Sequence, residues 1–396
     1  MKYEYGEFDG QPFQTPDALF PSPQLLQFIL QHGEQALDAL DQLDDDAERQ
    51  YIESLIEAGL LEEETDENGN RRLKLTPKLV RGMQHRALLE IFSDLKRGNK
   101  DGHQTLAPGR TNERADGAKH YEYGDPLSEI DLGQTMRNAV ARRADEHGLG
   151  LPIHINFDDF ELHLTEGSAD CATVMLIDQS GSMMRWGRFY QAKRVALGMQ
   201  AMLRARFPQD TIDFVGFHSM ADRLQERDIP LVMPKPISIR DYEVRLRVPL
   251  AQAQQNPDKV PLHFTNLHLG LRTARQILAR RGAANKQVFI ITDGQPTAHI
   301  EPNAAGGGED MLYLLYPPSE RTATITLKEA MRCQQMGIRL ATFALIEDYW
   351  GMDWVGFVDR LTRLTRGIAY YCTSDDLSST VIESYLTGKK KKSFVH

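Results

Sequence analysis

In the second half of the chain, short apolar runs alternate with longer amphipathic stretches. Ala172 to Ile177 is an unbroken apolar run apart from Thr173, and it reads as a strand buried on both faces. The stretch from about Arg188 to Phe207, carrying Val195, Leu197, Met199 and Leu203, is expected to be a helix. The pattern then predicts a strand over 211–217, a helix over about 266–281 and a strand over 287–292. It continues with a helix over 323–336, a strand over 338–345, a helix over 353–365, a strand over 368–372 and a helix over 377–386. Repeated strand–helix units of this kind imply an α/β fold: a doubly wound, mostly parallel sheet with helices on both faces.

The first half reads differently. Residues 24–43 carry Leu25, Leu26, Phe28, Ile29, Leu37, Leu40 and Leu43 at mostly helical spacing, and Tyr51, Ile52, Leu55 and Ile56 form a second helical face that Gly59 stops. Two extended pieces, 60–65 and 71–76, flank Asn68-Gly69, a hairpin turn signal. Thr76-Pro77 then opens another helix, with Thr as its cap and Pro at its first position. Helix, hairpin, helix is the order of a winged-helix module. Here Asp44, Asp45, Asp46, Glu62, Glu63, Glu64, Asp66 and Glu67 surround the hairpin and would repel phosphate, so packing or protein docking is expected instead of DNA binding.

From Lys96 to about Asp125 large aliphatic residues nearly vanish, which reads as a linker or long loop. Beyond it, 127–143 reads as a helix, and 153–157 and 160–164 read as strands that extend the edge of the main sheet. The expected organisation is therefore a helical, winged-helix-like region over 1–98, a linker over 99–125, a helix plus strands over 126–170, the α/β domain over 171–388 and a basic tail over 389–396.

Charge and cysteine usage narrow the class. A net charge of −10 opposes broad nucleic-acid affinity, since phosphate binding needs Lys and Arg. No apolar stretch approaches the length of a membrane span, and the segment from Met1 to Phe8 lacks the apolar core of a signal peptide. Cys171, Cys333 and Cys372 are widely spaced in apolar surroundings, so they read as buried free thiols in a reducing, cytoplasmic setting, without zinc-ligand spacing.

The candidate chemistry begins where the first apolar strand ends. Asp178, Ser180 and Ser182 place one carboxylate and two hydroxyls at i, i+2 and i+4, at the carboxyl edge where open α/β sheets hold ligands. Oxygen donors suit a hard divalent cation, although Asp and Ser in a turn also cap the helix that follows. Two more loops point to the same edge: Thr265 lies just before a helix, and Asp293 follows the apolar strand that ends at Thr292. Asp178-x-Ser180-x-Ser182, then Thr265, then Thr292-Asp293-Gly294 resembles the von Willebrand factor A (VWA) domain and its metal-ion-dependent adhesion site, over roughly 172–386.

That resemblance implies that Ser180, Ser182 and Thr265 ligate Mg²⁺, with Mn²⁺ as a substitute, directly or through water, while Asp178 and Asp293 act largely from behind. It also implies a role. Neutral hydroxyls leave the ion electrophilic, so it can bridge to an Asp or Glu of a protein partner. The whole chain looks similar to intracellular bacterial VWA proteins of the metal-chelatase D type and to companions of MoxR-type AAA+ ATPases. An adaptor that grips the ATPase or its client is the implied function, and an RNA-associated VWA scaffold is the alternative.

Catalysis finds little support in the residues. Ser180 and Ser182 lack a poised base nearby in sequence, and Gly306-Gly307-Gly308 lacks the Lys and Ser or Thr of a phosphate loop, so no enzyme activity is expected. His218 reads as a solvated loop histidine, and His263 and His268 do not share a helical face. Two segments, 234–261 and 301–319, read as insertions flanking the metal face, either specialised or simply tolerated surface loops.

Overall fold

The computed structural model describes residues 23–42, 46–65, 71–98, 114–120, 130–147, 155–165, 170–303, 309–346 and 352–390. Asn68-Gly69, most of 99–125, Gly306 to Gly308 and the last six residues of the tail lie outside these. The chain divides into two units, one made of 1–98 with 170–386 and the other containing 99–169.

Within the first unit the amino-terminal region opens with two short helices, α1 (Pro23–His32) and α2 (Glu34–Asp41), broken at Gly33, whose φ is +60°. Next come α3 (Asp46–Glu57), a hairpin of β1 (Leu61–Thr65) with β2 (Arg71–Leu75), and α4 (Pro77–Gly98). Thr76 caps α4 as its sequence implies: its Oγ1 accepts from the Leu79 amide at 3.3 Å.

The second unit holds β3 (Arg114–His120), α5 (Leu132–His147) and β4 (Glu161–Thr165). Here the expectations need correcting. The expected linker contains β3, and β4 pairs with it antiparallel in a separate two-stranded sheet instead of extending the main one. Residues 155–156 are not strand, and Phe157–Asp159 forms a 3-10 turn. The turn is held by Arg142, whose guanidinium forks onto the Asp159 carboxylate at 2.8 and 2.9 Å and keeps its pKa below the usual range.

The α/β domain returns to the first unit with β5 (Cys171–Asp178), α6 (Arg188–Arg206), β6 (Thr211–Phe217), β7 (Ala221–Leu224), β8 (Val244–Pro249), α7 (Leu250–Gln255) and α8 (Leu267–Ala279). It continues with β9 (Asn285–Thr292), β10 (Ala298–Pro302), β11 (Asp310–Tyr316), α9 (Glu320–Gln335), β12 (Ile338–Leu345), α10 (Met352–Thr365), β13 (Ile368–Cys372) and α11 (Leu377–Lys390). The main sheet runs β13-β12-β9-β5-β6-β7, parallel throughout except for the β6–β7 pair.

Side-chain alternation along β5 builds two cores. Met175 and Ile177 join one with α6 and α11, while Val174 and Leu176 join the other with α8, α9 and α10. The first core continues past α6 into the amino-terminal region through Leu26, Ile29, Leu79, Met83, Ala87 and Ile91. Helix α6 is therefore buried on more than one side, which explains why its apolar residues do not form a single stripe.

The two expected insertions are not loops alone. β8, β11 and β10 form a three-stranded antiparallel sheet with its own core of Val244, Ala253, Phe264, Ala298, Ile300, Leu312 and Leu314. All three cysteines are free and buried, and burial pushes the thiols of Cys333 and Cys372 up to about 12. Among the described residues no helix is long and apolar enough to cross a membrane.

Candidate metal centre

The strand order places a switch point beside β5. The chain leaves β5 for β6 on one side and later returns as β9 on the other, so a crevice opens at the carboxyl ends of β5 and β9. Asp178 is the last residue of β5, and Asp293 follows the last residue of β9.

Backbone contacts fix the turn after Asp178. The Gln179 amide donates to the Phe217 carbonyl at 2.7 Å, the Lys235 amide to the Gln179 carbonyl at 2.8 Å, and the Gly181 amide to the His263 carbonyl at 3.1 Å. Gly181 is required by space: a Cβ there would lie 2.5 Å from Ile237 Cγ1 and 3.2 Å from His263 Cβ. The turn continues as a short helical segment until Trp186 and Gly187 take φ values of 51° and 67°, which re-aims the chain so that α6 starts at Arg188.

Four of the five expected site residues are joined by hydrogen bonds. Asp178 is fully buried and accepts from the Ser180 amide at 2.8 Å and the Thr292 hydroxyl at 2.6 Å. The Ser180 and Ser182 hydroxyl oxygens are 3.1 Å apart, and Ser182 donates to Asp293 Oδ1 at 2.7 Å. Thr265 is brought in by its backbone: its carbonyl accepts from the Thr297 and Ala298 amides at 3.0 and 3.1 Å, and its amide donates to Thr297 Oγ1 at 2.8 Å. Among the described residues its hydroxyl makes no hydrogen bond to the other four. Next to it, Asn266 caps α8 by accepting from the Leu269 amide at 3.0 Å.

The sequence motif does not include Arg188, yet its Nη1 donates to Asp293 Oδ2 at 2.6 Å in a pair almost closed to solvent. Trp186 lies over the same guanidinium, 4.5 Å from ring centroid to Cζ. Only the short separation of Trp186, Gly187 and Arg188 from the serine motif could have pointed to it. Burial first, and the neighbouring Asp293 charge second, raise the Asp178 carboxyl to about 7, against the hydrogen bonds from Thr292 and Ser180.

The donor set fits a hard cation. Octahedral ligands about 2.1 Å from Mg²⁺ stand roughly 3 Å apart along an edge, and the two serine hydroxyls have that separation. Both carboxylates lie where they orient hydroxyls, with Asp178 on Thr292 and Asp293 on Ser182. Among the described residues no cluster of three His, Cys, Asp or Glu side chains is arranged for a metal.

The histidines go elsewhere. His218 is buried and not solvated, because β7 folds back on β6: its Nδ1 accepts from the Met220 amide at 3.2 Å. His268 is buried, accepts from the Ile300 amide at 3.2 Å and is lowered to about 4 by that burial. His263 instead faces Ser238.

A mostly parallel sheet with this crevice, flanked by helices on both faces, is a doubly wound α/β domain, the architecture to which the von Willebrand factor A domain belongs. Residues 171–386 match the family model for the vWA domain of Rv0959-like proteins, and 113–165 match that for their third domain. The chain belongs to the Rv0959-like family of vWA domain proteins. It is 26% identical over 340 residues to protein Rv0959 of Mycobacterium tuberculosis (strain ATCC 25618 / H37Rv), covering 85% of this chain and 45% of that one. With the UPF0229 protein BH1031 of Halalkalibacterium halodurans it shares 26% identity over 160 residues, 37% of this chain and 41% of that protein. The chain thus spans less than half the length of these relatives. Solved structures with a similar fold include the PilB minor pilin from Streptococcus sanguinis, with a TM-score of 0.38, 14% identity and coverage of 59% and 64% of the two chains. Another is the vWF domain of the type V pili tip protein Mfa5 from Porphyromonas gingivalis, with a TM-score of 0.38, 14% identity and coverage of 56% and 96%.

Proposed function

We propose that this chain is a metal-dependent protein-binding adaptor and not an enzyme. Its vWA domain supports a protein-interaction or adhesion role at the coarser level. In the finer reading, Ser180, Ser182 and Thr265 hold Mg²⁺ or Mn²⁺, Asp178 and Asp293 orient them, and the ion accepts an Asp or Glu carboxylate from a partner. The observation that carries this reading is the linked set of hydrogen bonds from Thr292 to Asp178 and from Ser182 to Asp293, around two hydroxyls 3.1 Å apart. Neither serine hydroxyl contacts a histidine among the described residues, and the carboxylate that Ser182 meets, Asp293, is engaged by Arg188, which weakens it as a base for nucleophilic catalysis. The partner is a MoxR-type AAA+ ATPase or its client, in a cytoplasmic setting.

Pull-down of a co-expressed MoxR-type ATPase should require Mg²⁺, survive moderate salt and disappear in EDTA or on Ser180→Ala. Capture that ignores both EDTA and the substitution would sink the metal bridge. Salt-sensitive retention of nucleic acid in its place would favour the RNA-associated alternative.

A further inference from the structure

The residues framing the crevice carry more information than a bare cation site needs. In a chain of net charge −10, the segment from Gln179 to Arg194 holds no Asp or Glu, and neither does the segment from Ile229 to Arg240. These two segments meet at the site, since Lys235 donates its amide to Gln179 and Ile237 lies over Gly181. Both also expose large apolar side chains: Met184 is 57% exposed, Trp186 54% and Ile237 43%. None of the three is needed for the core. Trp186 is continuous with the site chemistry through Arg188 and Asp293, and Arg185 and Arg240 are exposed on either lip.

We infer that Met184, Trp186 and Ile237, with Arg185, Lys235 and Arg240 around them, form a docking lip for a partner segment in which an Asp or Glu stands beside a bulky apolar residue. The inference rests on the metal-bridge reading and adds to it. The cation selects the carboxylate, and the apolar lip selects what flanks it. Charge complementarity names the occupant: every charged side chain within the two segments is a cation, which attracts an acidic strand, and a bulky apolar residue beside its carboxylate would cover the apolar triad.

The test uses the full chain in millimolar Mg²⁺ and three dye-labelled peptides read by fluorescence anisotropy. One has a central Asp flanked by Leu and Phe, one has the same Asp flanked by Gly, and the third replaces Asp by Asn in the apolar context. The apolar-flanked Asp peptide should bind about tenfold more tightly than the Gly-flanked one, the change expected from removing roughly 60 Å² of apolar surface from water. Trp186→Ala, and separately Met184→Ser, should shrink that preference. Equal affinity for the two Asp peptides overturns the lip while leaving the metal bridge standing. If the Asn peptide binds as well as its Asp counterpart, the metal bridge itself falls, and the inference with it.

Discussion

Asp178 gathers the conflicts of the site into one side chain. It is fully buried beside a second carboxylate, and its raised pKa has a definite sign for stability. A carboxyl held above its unfolded value binds its proton more tightly in the folded protein, so the metal-free chain should lose stability as pH rises from the ordinary carboxylate range through about 7. Thermal unfolding in EDTA across that window should show the decline, and Asp178→Asn should flatten it. A slope unchanged by the substitution would assign it to another group. Asp178, Ser180 and Ser182 were legible because they are contiguous at the end of an apolar strand. Thr265 and Asp293 were legible only as further loop oxygens at the same edge. Arg188 was not, because its partner lies 105 residues away and its aim depends on two left-handed residues. His218 misled for a similar reason: nothing local announces that the chain turns back at once and pairs Ala221–Leu224 with β6 as β7.

Among elements, the segment from Ile229 to Ile237 has no regular structure and is nonetheless tightly held. Lys193, fully buried on α6, donates to the carbonyls of Pro230 at 2.9 Å and Val232 at 3.0 Å. At Gly33 the amino-terminal region closes on the same segment so tightly that a Cβ would lie 2.2 Å from the Leu231 carbonyl oxygen. With φ at +60° as well, Gly33→Ala should cost about 2 kcal/mol or more, read as a lowered denaturation midpoint with unchanged slope. A neutral outcome would mean that α1 and α2 shift away without consequence. The small sheet shows what pattern reading can overlook. Val244, Leu246 and Val248 alternate with Arg245 and Arg247, a strand signal that the surrounding Pro, Gln and Asp residues outweighed. Its partners β10 and β11 come from the other insertion, so a single core required two segments that sequence alone kept apart.

At the scale of the molecule, the amino-terminal helices and the vWA domain share one core. Ile91 on α4 sits so close to α6 that a Cβ at Gly198 would lie 2.5 Å from it, and Glu226 accepts from Gln84 of α4 and from Gln200 and Arg204 of α6. Native-state hydrogen exchange should therefore show the amides of α4 and α6 opening together, with closely similar protection. Independent opening of α4 at much lower free energy would divide the unit. The repeated strand–helix order made the α/β half legible, but not this shared core, because a helix buried from two sides leaves no one-sided stripe to read. The strap from Ile229 to Ile237 then acquires a mechanical meaning. It is stitched to Gly33 at one end and to Gln179 and Gly181 at the other, so it is a load path. Tension applied at the crevice would be shared between the sheet strands β5 and β9 and this strap, and through the strap it would reach the amino-terminal helices.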